Sequence, residues 1–172
     1  MARGVSFTEA SPGCAIIETM IRVLFVCLGN ICRSPMAEAV FAHKVREAGL
    51  GHLITADSAG TGNWHVGSSP HAGTRRVLAK NAIQYTHAAR QIVATDLEKF
   101  DYVMTMDDDN FDNVQMMGRG KAVVKPFLGY TPDSAITEVP DPYFTGNFEE
   151  VYDMVDAAAD GLLAAIRADH RL

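Results

Sequence analysis

The chain has 172 residues, 48% of them hydrophobic, which is long enough to bury a core and short enough for one domain. Fifteen Lys and Arg against 21 Asp and Glu leave a net charge of −6, which argues against nucleic acid or an anionic lipid surface as the partner. The longest unbroken apolar run, Val23 to Leu28, is six residues and cannot cross a bilayer; three cysteines are too few, and odd in number, for a disulfide framework, so a reducing, cytoplasmic setting is expected.

Residues 1–19 read as a flexible extension, because Glu9, Pro12 and Gly13 interrupt any run of the about 7 to 15 apolar residues that a secretory segment needs. Cys14 lies there without an assigned role, and export by a route needing no signal peptide stays open. Residues 20–172 read as a single domain. Arg22 to Val26 is a short β-branched run of the kind found in buried parallel strands. After it, Ser34 and Pro35 predict an N-cap and first helical position, leading into a helix over Met36 to Ala48 that Gly49 stops. Leu53 to Asp57 is the second strand candidate and Pro70 to Asn81 the second helix. A small helix, Thr95 to Phe100, precedes a third strand at Tyr102 to Met106. Asp107 to Met117 reads as helix, Ala122 to Lys125 as a fourth strand, and Pro126 to Gly146 as a long connection with prolines at 132, 140 and 142. Long ordered loops are usually functional. Phe148 to Ala168 closes the chain as an amphipathic helix with Val151, Val155, Ala159, Leu162 and Ile166 on one stripe.

Strands alternating with helices predict an α/β fold, a doubly wound four-stranded parallel sheet with helices on both faces. Ligands in such folds sit beyond the carboxyl ends of the strands, so the segment just after the first strand is the first place to look. There the chain reads CLGNICRS, Cys27 to Ser34, with arginine six positions after cysteine. A loop curling from a strand into a helix N-terminus turns backbone N–H groups toward one point, where the helix dipole adds positive charge and an oxyanion can be held without a metal. Gly29 and Asn30 tolerate the left-handed backbone of such a curl. Arg33 adds a planar fork for two phosphate oxygens, and Ser34 a hydroxyl near the sulfur. The same field favours a thiolate at Cys27, a nucleophile at the floor of a phosphate cradle. The alternative is a buried structural cysteine at a strand end.

Hydrolysis by that route needs a proton donor, and Asp141 in VPDPYF, 114 residues downstream, is the candidate, stiffened by Pro140 and Pro142. Tyr143, Phe144 and Trp64, the last in the Gly-rich stretch GTGNWHVG, supply aromatic walls for a flat substrate. Taken alone, Asp-Pro is more often a turn.

These residues resemble a known family, the low-molecular-weight protein tyrosine phosphatases of bacterial type. CLGNICRSPMAEAVF, DSAGTGNW, ARQI, FDYVMTMD and VPDPYFTGNFEEVYDMV match its blocks in order, from Ile21 to about Ile166. The resemblance implies metal-free and cofactor-free hydrolysis of phosphotyrosine, with Cys27 as nucleophile, Arg33 as phosphate clamp and Asp141 as general acid. The loop would comprise Leu28, Gly29, Asn30, Ile31, Cys32 and Ser34, with Asn30, Ser34, Ser58 and His87 forming a supporting hydrogen-bond network. Unaided, His87 reads as a surface or satisfied structural histidine, and Asp107 as a helix cap. The implied partners are phosphotyrosine-containing proteins, and a tyrosine kinase is a candidate.

Cys32 is implied by the same resemblance to form a reversible disulfide with Cys27, shielding it from overoxidation; the bland reading is a small apolar residue under the loop. The absence of cysteines after Cys32 argues strongly against arsenate reductases of this fold, which need further redox cysteines there. Protein-arginine phosphatases usually carry threonine where this chain has Ile31, whose branched apolar side chain disfavours a guanidinium. A non-catalytic phosphate-binding or redox-sensing module would need neither Asp141 nor an aromatic rim. Phe144 stands where many relatives carry a second tyrosine.

Overall fold

The computed structural model describes residues 20–132 and 135–172, and the expectations for residues 1–19 lie outside them. Strand β1 (Ile21–Cys27) is buried along nearly its whole length, which is why its sequence is continuously apolar rather than alternating. Val23, Phe25 and Cys27 face one apolar cluster, and Leu24 and Val26 face a second on the other side. The remaining elements follow as α1 (Arg33–Glu47), β2 (Ile54–Gly60), α2 (Ala72–Lys80), α3 (Asp96–Lys99), β3 (Tyr102–Thr105), α4 (Asp108–Met116), β4 (Val123–Pro126), α5 (Pro142–Thr145) and α6 (Phe148–His170). A 3-10 turn, Phe127–Tyr130, follows β4.

The four strands are all parallel in the order β2-β1-β3-β4. Helices α1, α2 and α6 contribute Phe41, Val77, Val155 and Ile166 to the Phe25 side, whereas α3 and α4 contribute Leu97 and Val114 to the Leu24 side. Phe25 is fully buried with its ring edge-on to Phe41 at 5.6 Å and to Phe127 at 5.0 Å, a burial that contributes about 2 kcal/mol. From β1 the chain moves to one neighbour, β2, and later returns to the other, β3, so strand order reverses at the carboxyl end of β1. That end is the crevice where such sheets take their ligands. No helix among the described residues is long and apolar enough to cross a membrane.

Three local expectations are corrected. Ser34 does not cap α1: the helix begins at Arg33 after Cys32, and the Ser34 hydroxyl is drawn instead to the Cys27 sulfur. Pro35 is therefore the third helical residue, still within the first turn, where a backbone N–H has no helical acceptor to lose. Strand β2 continues past Asp57 to Gly60, because its small final residues, Ser58, Ala59 and Gly60, are buried against β1. Within the long connection Asp141 caps a single helical turn, α5, by accepting the Tyr143 N–H at 3.1 Å.

Candidate active site

The loop from Cys27 to Arg33 joins β1 to the N-terminus of α1. Its N–H groups at Gly29, Ile31 and Cys32 have no backbone acceptor among the described residues, while the Asn30 N–H donates to the Cys27 Sγ at 3.3 Å. Of the two residues expected to accept a left-handed backbone only Asn30 does so, with φ 55°. Gly29 serves close approach instead: a Cβ there would lie 3.0 Å from the His65 ring.

The Asn30 side chain explains how the curl is held. Its amide donates to Ser34 Oγ and to Ser58 Oγ, both at 2.9 Å, and its carbonyl accepts from the Arg90 backbone N–H at 2.9 Å. That assignment makes His87 Nε2, 2.8 Å from the same carbonyl, a donor. Ser34 Oγ lies 3.0 Å from the Cys27 Sγ, placing a hydroxyl beside the sulfur. The structure thus brings Asn30, Ser34, Ser58 and His87 into one chain of hydrogen bonds ending at Cys27. His87 is no surface residue, with a side chain 9% exposed, and burial lowers its affinity for a proton.

Glu38 is a member that sequence reasoning missed. Its Oε2 accepts from Ser58 Oγ and Tyr85 Oη, each at 2.6 Å, and lies 3.5 Å from His87 Nδ1. Burial pushes its carboxyl up to about 7, against the pull of the Ser58 and Tyr85 hydrogen bonds. The signal was available, since Glu38 is one turn beyond Ser34, beside the buried Met36, Ala37, Ala39 and Val40, where a solvated carboxylate would be out of place.

Arg33 is buried, its guanidinium held by two carboxylates. Nη1 donates to Asp107 Oδ2 at 2.5 Å and to the Val139 carbonyl at 3.2 Å, and Nη2 donates to Asp141 Oδ2 at 3.1 Å. Burial opposes the charge, but the Cys27 sulfur, Asp141 and Asp107 outweigh it and hold the guanidinium above its ordinary pKa. Asp107 also caps α4 by accepting the Asn110 N–H at 2.7 Å, so it serves the helix and Arg33 together.

Cys27, Arg33 and Asp141, which lie far apart in the chain, line one cavity of about 210 Å³. Leu28, Gly29, Ile31 and Cys32 complete its floor, and Trp64, His65, Tyr143 and Phe144 its walls. Trp64, Tyr143 and Phe144 are 68%, 53% and 78% exposed, so these rings have little of their area in the core and present it at the mouth. Cys32 is buried beside them, and burial pushes its thiol up to about 12, with Asp141 and Cys27 adding to the effect.

A doubly wound parallel sheet whose switch-point loop sets a cysteine six residues before an arginine defines a class of phosphate-handling α/β proteins with a sulfur nucleophile. The family described as low molecular weight phosphotyrosine protein phosphatase matches residues 22–172, and the chain belongs to it. It is 46% identical over 156 residues to the low molecular weight protein-tyrosine-phosphatase YfkJ of Bacillus subtilis, an alignment covering 89% of this chain and 100% of that protein. The crystal structure of YfkJ superposes with a TM-score of 0.85, covering 88% of this chain and 97% of that one. A low molecular weight protein-tyrosine-phosphatase of Streptomyces coelicolor is 47% identical over 153 residues, covering 85% and 93% of the two chains. The crystal structure of a Drosophila arginine phosphatase, 31% identical, superposes with a TM-score of 0.81 over 86% of this chain and 98% of that one.

Proposed function

We propose that residues 20–172 hydrolyse phosphotyrosine in proteins through a cysteinyl-phosphate intermediate. One observation carries the reading: Cys27, Arg33 and Asp141 meet in a single cavity whose mouth is walled by aromatic rings. The loop N–H groups and Arg33 hold the phosphate oxygens. With the phosphate taking the place of Asp141 on Arg33, the Asp141 carboxyl takes up a proton from solvent; the Cys27 sulfur attacks phosphorus, the bond to the tyrosine oxygen breaks, and that oxygen takes the proton of Asp141. Asp141, now a carboxylate, removes a proton from water; the water oxygen bonds to phosphorus, the sulfur–phosphorus bond breaks, and phosphate and the Cys27 thiolate are released. The substrates are phosphoproteins, which makes a tyrosine kinase the enzyme class that supplies them and the cytoplasm the compartment that suits a free thiolate.

The likeness to an arginine phosphatase favours phosphoarginine as the second reading. Ile31 opposes it, because it is apolar, lines the cavity and offers no acceptor to a guanidinium. The two are separated by steady-state hydrolysis of a phosphotyrosine peptide and a phosphoarginine peptide, side by side, with reductant and without added metal. The phosphotyrosine peptide is expected to have a kcat/KM at least about tenfold higher, roughly what one unpaired buried polar group costs. A preference for phosphoarginine would overturn the substrate assignment and leave the sulfur chemistry standing. Turnover of neither peptide would favour a binding module.

Cys27 and Cys32 form a redox pair in this reading. Peroxide oxidises the Cys27 thiolate to a sulfenic acid, and the Cys32 sulfur displaces hydroxide from it to give the disulfide, which a thiol reductant reopens. In the resting site, burial, Asp141 and Cys27 hold the Cys32 thiol above its ordinary pKa; once Cys27 is oxidised its share of that effect is gone. After peroxide treatment, reductant is expected to restore most of the wild-type activity and far less of that of Cys32→Ser. Equal recovery in the two proteins would remove Cys32 from the redox chemistry.

A further inference from the structure

We propose that His71 is the residue that positions Tyr143, and through it the selectivity of the cavity for aromatic phosphates, an inference that rests on the phosphotyrosine reading above. Four contacts converge on this one side chain and its backbone. His71 caps α2, its Nδ1 accepting the Gly73 N–H at 3.0 Å. Its own N–H donates to the Ile31 carbonyl at 2.7 Å, tying it to the loop. One face of its ring stacks on Phe148, at the start of α6, with centroids 5.0 Å apart and planes 6° from parallel. Tyr143 meets the imidazole edge to face, 5.9 Å away at 71°.

The first three contacts immobilise the ring, and the fourth passes that rigidity to the pocket. Accepting through Nδ1 fixes the imidazole plane, because rotating it would release the α2 cap. Phe148 can back the ring because Gly73 leaves it room: a Cβ at Gly73 would fall 2.5 Å from the Phe148 ring. Tyr143 has few other holds. Its ring is half exposed, and its other ring partner, Phe144 at 5.2 Å, is itself 78% exposed. Asp141 fixes the Tyr143 backbone through the α5 cap but leaves the ring free to turn. An aromatic leaving group stacked in the cavity needs that ring in place, whereas a phosphate with no ring does not.

Two substitutions separate the ring from the cap. His71→Asn keeps a capping acceptor and removes the ring; His71→Phe keeps the ring and removes the cap. Each is compared with the wild type by steady-state kinetics on a phosphotyrosine peptide and on acetyl phosphate, with melting temperatures recorded alongside. His71→Asn is expected to raise KM for the peptide about three- to tenfold, the scale of one lost aromatic pair, with kcat within about twofold. Its KM for acetyl phosphate stays at the wild-type value. His71→Phe is expected to melt at a lower temperature and, with its ring still backed by Phe148, to raise KM for the peptide less than His71→Asn does. In the Tyr143→Ala background the effect of His71→Asn should vanish, since there is no ring left to position. An unchanged KM in His71→Asn, an equal rise for both substrates, or an additive effect in the double variant would each overturn the inference. A wild-type protein that fails to hydrolyse the peptide would remove the phosphotyrosine reading and this inference with it; normal wild-type turnover with His71→Asn unaffected would remove this inference alone.

Discussion

Cys27→Ser is expected to lower turnover of a phosphotyrosine peptide by at least about a thousandfold while inorganic phosphate still binds, because an un-ionised hydroxyl replaces the attacking sulfur. The groups that hold an oxyanion are untouched by the change. Arg33 stays between its two carboxylates, and the loop keeps its curl through Asn30, whose hydrogen bonds to Ser34, Ser58 and Arg90 do not involve the sulfur. Serine is smaller than cysteine and can still lie near the Ser34 hydroxyl, so little repacking is required. Steady-state assays for turnover and titration calorimetry with inorganic phosphate test the two halves separately. Turnover within tenfold of wild type would refute a covalent sulfur intermediate. Loss of phosphate binding together with turnover would mean that the sulfur shapes the loop as well as reacting.

The second large effect belongs to Asp141. Asp141→Asn is expected to slow hydrolysis of a phosphotyrosine peptide by about 10²- to 10⁴-fold, the usual worth of a positioned general acid. The loss should shrink along a series of aryl phosphates as the leaving group becomes more acidic, because a good leaving group departs without a proton. Asparagine keeps one oxygen, which can still cap α5 at the Tyr143 N–H, while its amide NH2 stands where the second carboxylate oxygen accepted from Arg33 Nη2 and gives up that bond. The α5 cap and the pocket wall are thereby kept, and the proton and the ion pair with Arg33 are removed together. A uniform loss across the series would reassign Asp141 to holding Arg33, the role the structure also gives Asp107.

The sheet and the loop were legible because their signals are local. Arg22 to Val26 is apolar enough to be a strand in any context, and a cysteine, an arginine and a helix start within eight residues declare a cradle. What escaped depends on contacts across the sheet. Ser34 satisfies every local rule for a cap, yet its hydroxyl finds a better partner in the Cys27 sulfur, which the strand brings to 3.0 Å. The end of β2 was lost because Ser58, Ala59 and Gly60 have weak strand preference, and only the pairing of Gly60 with Cys27 makes them one. Glu38 looks solvated when read singly and becomes an internal group only when α1 is laid against β2. His71 carries no catalytic motif; its place at the meeting of α2, α6, the loop and α5 exists only in three dimensions. The α5 turn, by contrast, is announced by Asp141 followed by Pro142, a cap and a first helical residue, although the same pair also suits a stiff turn.

The left-handed Asn30 has a consequence for how the protein meets its ligand. An asparagine at φ 55° would relax to an ordinary conformation in a free peptide, and in this protein it is kept there by partners on α1, β2 and the segment after α2. Ordering the cradle is therefore part of folding the domain, completed before any anion arrives. A phosphate that docks there meets donors already in place, and its binding need not also order the loop.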